Sequence, residues 1–160
     1  MTYASWHIEQ LKFTGKDDKE ASLAFAAGLS LVYGASNTGK SFALKSLDFM
    51  LGGATPLPLI REREPYNKLW LDIGFSVDRR ALLERAVVGG PFQLHEGEAA
   101  PRTLAPKHSA KTPNNISTFL LTQMDAAGRK VSTDASGTQE NLSFRDIAGI
   151  AGSAILGDGR

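Results

Sequence analysis

Leu29-Ser30-Leu31-Val32-Tyr33-Gly34-Ala35-Ser36-Asn37-Thr38-Gly39-Lys40-Ser41-Phe42-Ala43-Leu44-Lys45-Ser46-Leu47 runs from an apolar, β-rich segment through G-x-x-x-x-G-K-S into a segment with helical character. Gly34, Gly39, Lys40 and Ser41 fill every fixed position of that pattern. The order strand, loop, helix is the context that turns the bare pattern into a phosphate-binding P-loop. Glycines let the backbone curl so that successive N–H groups converge on phosphates, and the N-terminus of the following helix adds the positive end of its dipole. The expected nucleotide-binding set is Gly34, Ala35, Ser36, Asn37, Thr38, Gly39, Lys40, Ser41 and Phe42. Gly34 and Gly39 permit the curl, while Asn37, Thr38 and Gly39 offer backbone N–H groups. Lys40, the candidate catalytic residue, neutralises the β- and γ-phosphates, and the Ser41 hydroxyl ligates Mg²⁺.

Binding is not hydrolysis. Turnover in this class needs an acidic residue at the end of a second apolar strand, a group that positions water and a cation facing the γ-phosphate. Leu69-Trp70-Leu71-Asp72 and Ala81-Leu82-Leu83-Glu84 come nearest to such a strand, but both alternate apolar with polar residues and read as strands of an antiparallel hairpin.

The 160 residues suit one domain, and 42% hydrophobic with 22% charged residues is ordinary for a soluble globular chain. A net charge of +1 and a pI near 8.0, with Lys and Arg scattered, neither demand nor exclude nucleic acid. With no cysteine, disulfides, zinc–thiolate sites and thiol catalysis are excluded. No apolar run approaches a membrane span, and Met1 to His7 lacks the pattern of a signal peptide, so a cytoplasmic protein is expected.

Residues 6–53 are expected to hold a hairpin and the P-loop strand and helix. Trp6 to Phe13 alternates as a strand, Gly15 to Lys19 turns, Ala21 to Phe25 returns, and Leu29 to Tyr33 is a buried strand. Leu44, Leu47, Phe49, Met50 and Leu51 give the helix a broad apolar face that Gly52-Gly53 ends. Thr55 to Tyr66 is a Pro-broken loop carrying Arg61-Glu62-Arg63-Glu64, read as solvated, with Arg61 or Arg63 reaching a phosphate as the minority reading. Residues 66–96 form a meander of Lys68 to Ser76, Arg80 to Val88 and Phe92 to His95, followed by a mobile loop over 97–114. In 115–147, Asn115 caps a helix with Ile116, Phe119, Leu120 and Met124 on one face, and Leu142 to Ile147 starts a strand or helix. Gln123 reads as solvated, and His7, His95 and His108 as solvated or packed. The tail, 148–160, is rich in Gly and Ala and carries little signal, so the chain is expected to stop mid-domain.

The order strand, charged turn, strand, "GLSLVYGASNTGKSFALKSLDFMLGG" and meander resembles the N-terminal ATPase lobe of the SbcC, RecF, RecN and SMC group, which are ABC-type AAA-domain heads. "NISTFLLTQMDAAGRK" followed by "LSFRDI" is similar to SbcC-like ATP-binding proteins. The resemblance implies an α/β fold, the P-loop NTPase lobe of an ABC-type head with a strand–helix P-loop unit and an antiparallel β meander. It implies ATP and Mg²⁺ as cofactors, with Lys40 and Ser41 holding them and Lys12 and Phe13 of the first hairpin beside the nucleotide. It also implies a C-terminal ATPase lobe, in cis or in trans, that supplies the signature motif, the Walker B pair and the switch His, and a nucleotide-dependent homodimer acting on DNA in repair, maintenance or defence. None of those C-terminal motifs occurs in this chain. A small P-loop phosphotransferase and a stand-alone nucleotide-binding interaction module without turnover remain the alternatives.

Overall fold

The computed structural model describes residues 6–36, 39–76 and 78–148. Period-2 alternation builds one six-stranded sheet from β1 (His7–Gly15), β2 (Glu20–Ala24), β3 (Tyr66–Ser76), β4 (Arg79–Ala86), β5 (Phe92–His95) and β6 (Arg102–Leu104). Its order is β2-β1-β3-β4-β5-β6, with every neighbouring pair antiparallel. Register places Leu11, Leu71, Leu83 and Leu94 in one row across four strands, and all four are buried. A second row runs Phe13, Leu69, Arg85, Phe92 and Leu104. Burying these rows supplies the main driving force for the fold.

The inner face is covered by α1 (Lys40–Met50) and α2 (Ile116–Gln123). α1 turns Ser46, Phe49 and Met50 inward. Leu44 is exposed and Leu47 only partly buried, which corrects the expected packing face. Apolar residues surround much of this helix, so periodicity alone did not select the side that meets the sheet. Its end is as expected: Gly52 has φ 93°, Gly53 N–H donates to Asp48 O at 2.8 Å and Gly52 N–H to Phe49 O at 3.4 Å, a Schellman arrangement. α2 begins at Asn115, whose side-chain oxygen accepts from Thr118 N–H at 2.8 Å. Its Nδ2 donates to the carbonyls of Thr112 and Ser109, at 2.7 and 3.1 Å, and so holds the preceding loop against the helix.

Two further expectations are amended, and one open choice is resolved. Leu29 to Tyr33 forms no strand, and Leu29, Leu31 and Tyr33 are exposed at 93%, 78% and 85%. Strand propensity is realised only against a neighbouring strand, and among the described residues no strand pairs with this segment. The strand half of the expected strand–helix unit is therefore absent among the described residues, and the sheet contains no parallel pair. The 97–114 loop contains β6, because Leu104 buries opposite Phe92. His108, expected in that loop, has both ring nitrogens buried without a partner among the described residues. Beyond α2, the short hairpin β7 (Lys130–Ser132) and β8 (Gln139–Asn141) precedes a helical segment at 144–148 that resolves the strand-or-helix choice. Phe144 of that segment is buried, edge-on to Trp6 at 5.8 Å, and Arg145 pairs with Asp48 of α1 at 2.7 Å. The tail expectation beyond residue 148 lies outside the described residues. No helix among them is long and apolar enough to cross a membrane.

Candidate functional site

Gly39, in the left-handed region at φ 82°, is the N-cap of α1 and supplies no side-chain cap, and the first turn carries no acidic residue. The first helical bond runs from Ala43 N–H to Gly39 O at 2.9 Å, so the amides at the start of the helix have no intrahelical acceptor. With the dipole's positive end and Lys40 beside them, they make a cationic environment suited to an anion. Lys40 Nζ donates to Gly34 O at 2.8 Å and to Ala35 O, so the ammonium bridges the loop it follows. Asn37 and Thr38 lie outside the described residues.

Ser36, Gly39, Lys40, Ser41 and Phe42 line one open cavity of about 1010 Å³. This is large enough for a nucleotide, since ligand sites usually occupy roughly 300–1,000 Å³. Gly34 lines an adjoining cavity of about 470 Å³ with Val32 and Tyr33. Phe13, Gly39, Lys40 and Phe42 belong to both cavities. Phe13 stacks on Phe42, with ring centroids 5.7 Å apart and planes 28° apart, and meets Tyr66 at 5.7 Å and 56°. The N-terminal end of α1 thus opens beside an aromatic wall contributed by β1 and β3.

Two backbone details place that wall. Gly15 ends β1 against Pro65, where a Cβ would collide with the Pro65 carbonyl, so only glycine lets Tyr66 approach Phe13 at this spacing. Lys12, one residue from Phe13, projects to the opposite face and pairs with Glu20 at 3.6 Å. Of the two hairpin residues expected beside a nucleotide, the geometry therefore brings Phe13 to the cavity and turns Lys12 away.

Sequence reasoning missed Lys45, Pro58, Ile60, Glu62 and Tyr66 as cavity residues. Lys45 was reachable, because it lies four residues after Ser41 on the same helix face. Pro58, Ile60 and Glu62 come from a loop without periodicity, fixed by Leu57, which is buried, and by Arg63, whose Nη1 donates to Leu57 O at 2.7 Å and Pro58 O at 3.3 Å, and Tyr66 opens β3 just after it. Arg63 is thus turned onto its own loop.

The two acidic strand-end candidates sit on the outer sheet face. Asp72 pairs with Arg80 at 2.6 Å, and Arg80 also meets Glu9 at 2.7 Å. Glu84 accepts from Lys68 at 2.5 Å and lies 2.9 Å from His95 Nε2. Burial pushes the Glu84 carboxyl up, but Lys68 and His95 outweigh it and hold the group below its ordinary value. Gln123 Oε1 accepts from Arg79 Nη2 at 2.5 Å. Comparison of the chain with protein-family models, curated proteins and solved structures gave no significant match.

Proposed function

We propose that this chain binds a nucleoside triphosphate, ATP with Mg²⁺, at the N-terminus of α1. The observation that carries the reading is the convergence of a complete G-x-x-x-x-G-K-S run, a helix start whose N-cap is Gly39, and an aromatic wall on one cavity. In this reading the early α1 amides and Lys40 bind the phosphates, Ser41 offers its hydroxyl to the metal, and Phe13 with Tyr66 flanks the base. Bound Mg²⁺ neutralises phosphate charge and orients the terminal phosphate.

The resemblance extends the proposal to the N-terminal lobe of an SbcC/RecF/RecN/SMC-like, cytoplasmic ATPase of the ABC-head type. Hydrolysis is completed by a C-terminal lobe in cis or in trans, within a nucleotide-dependent homodimer that works on DNA. Exposed Leu29, Leu31, Val32 and Tyr33 on the segment leading into the site, and Leu44 on α1, support a partner lobe, because exposed apolar residues mark interaction surfaces when a partner covers them. A second reading, a nucleotide-gated interaction module without turnover, is favoured by the wholly antiparallel sheet and by the outward placement of Asp72 and Glu84. Calorimetric titration of MgATP into the 160-residue chain tests the shared core of both readings. Saturable one-site binding is expected, and no heat at any accessible concentration refutes it. Steady-state phosphate release with and without an added C-terminal lobe then separates the two.

A further inference from the structure

Glu62 is the sole carboxylate among the described residues lining the cavity that also holds Lys40, Ser41 and Lys45. It occupies the middle of a single 3-10 turn, Arg61–Arg63. That turn is anchored at one end by buried Leu57, braced by the Arg63 bonds to Leu57 O and Pro58 O, and continued at the other end into Tyr66 of β3. Pro58, Ile60, Glu62 and Tyr66 therefore present one wall to the P-loop end of α1. Glu62 itself is exposed and makes no ion pair or side-chain hydrogen bond among the described residues, although two lysines line the same cavity.

A carboxylate facing a triphosphate is repulsive by itself and attractive through a shared cation. Mg²⁺ accepts hard oxygen donors, keeps several waters, and is commonly held by one or two carboxylates together with substrate phosphates. Among the described residues no group of three His, Cys, Asp or Glu could hold a metal unaided, so a cation here would arrive with the nucleotide. The Ser41 hydroxyl, with Ser36 nearby in the chain, and the Glu62 carboxylate on the 3-10 turn are hard oxygen donors that line this cavity. Resting on the triphosphate reading above, we infer that Glu62 is the acidic residue that couples Mg²⁺ to nucleotide at this site, directly or through a metal-bound water. The acidic strand end sought by sequence pattern is replaced here by a carboxylate on the 3-10 turn.

The test is calorimetric titration of ATP into the intact chain and its Glu62→Gln variant, each in Mg²⁺ and in EDTA, with thermal melts confirming that both fold. Wild type is expected to bind about tenfold tighter with Mg²⁺ than without, a coupling of ordinary size. Glu62→Gln should reduce that ratio to about twofold or less, partly by binding metal-free ATP more tightly because the repulsion is gone. An unchanged Mg²⁺/EDTA ratio in a variant that still binds ATP overturns the Glu62 assignment and leaves the nucleotide reading standing. No binding by wild type in either buffer removes the nucleotide reading, and this inference with it.

Discussion

The carbonyl oxygen of Phe49, in the last turn of α1, accepts a 2.7 Å hydrogen bond from Nη1 of Arg85 on β4. Arg85 takes an inward position in the alternation that also buries Ala81, Leu83 and Val87, and its guanidinium lies 3.9 Å from the Phe49 ring centroid and 4.4 Å from that of Phe92. Nε donates to Gly90 O at 3.0 Å. One cation thus satisfies a helix-end carbonyl, complements the negative end of the dipole and ties α1 to the β4–β5 turn. Burial pulls its pKa down to about 10, which leaves it charged at neutral pH.

Replacing Arg85 with Ala removes the side-chain donor to Gly90 O and the shorter of the two donors to Phe49 O, and opens space between two aromatic rings. A loss of about 2–4 kcal/mol is expected. Arg85→Lys should restore part of it, because an ammonium keeps the charge but lacks the planar fork that reaches both acceptors. Urea unfolding of the three proteins measures this, and equal midpoints for wild type and Ala would remove the clamp from the account.

Glu84 sets an acid limit on stability. Its carboxyl is held below the ordinary value in the folded chain, so the unfolded chain binds the proton first as pH falls. The contribution is present above the unfolded value of about 4.5 and is lost as pH drops through the lower folded value. Glu84→Gln is expected to cost about 1–2 kcal/mol at pH 7, with the gap to wild type closing below pH 4.5. Denaturant titrations at several pH values check the sign, and a gap that widens on acidification would contradict it.

The aromatic wall predicts a separation between base and phosphate. Phe13→Ala should weaken ATP binding by about tenfold, the scale of one lost base–aromatic contact, while leaving inorganic triphosphate affinity within about twofold. Competition titrations with both ligands read this directly. Equal losses for the two would mean that Phe13 acts by holding α1 through Phe42 rather than by meeting the base.

Much of this architecture was readable from the chain because local rules and tertiary packing agree. Asn115 before an apolar helix, Gly52-Gly53 after one, and the alternation from Leu69 to Phe75 each name their own structure. Leu29 to Tyr33 misled because a strand is a property of a pair, and its β-rich composition says nothing about whether a neighbour is present. The face of α1 was ambiguous with Phe42, Leu44, Leu47, Phe49 and Met50 spread around it. Arg85 resembles any surface arginine until Phe49 and Phe92 close over it. The chemical half of the candidate site was visible in Lys40 and Ser41, whereas Glu62 reaches the cavity through the Leu57 and Arg63 anchors and Tyr66 through its pairing with Gly15, which no pattern encodes.

The central claim is that α1 begins at a nucleotide site, and the most direct measurement is MgATP binding to Lys40→Ala beside wild type. Lys40 is only partly buried, and its ammonium donates to the Gly34 and Ala35 carbonyls of its own loop, so the variant should keep its melting behaviour. The account predicts at least about a 30-fold loss of affinity, corresponding to roughly 2 kcal/mol for a charge-assisted contact. A correctly folded Lys40→Ala protein that binds MgATP as tightly as wild type would contradict it.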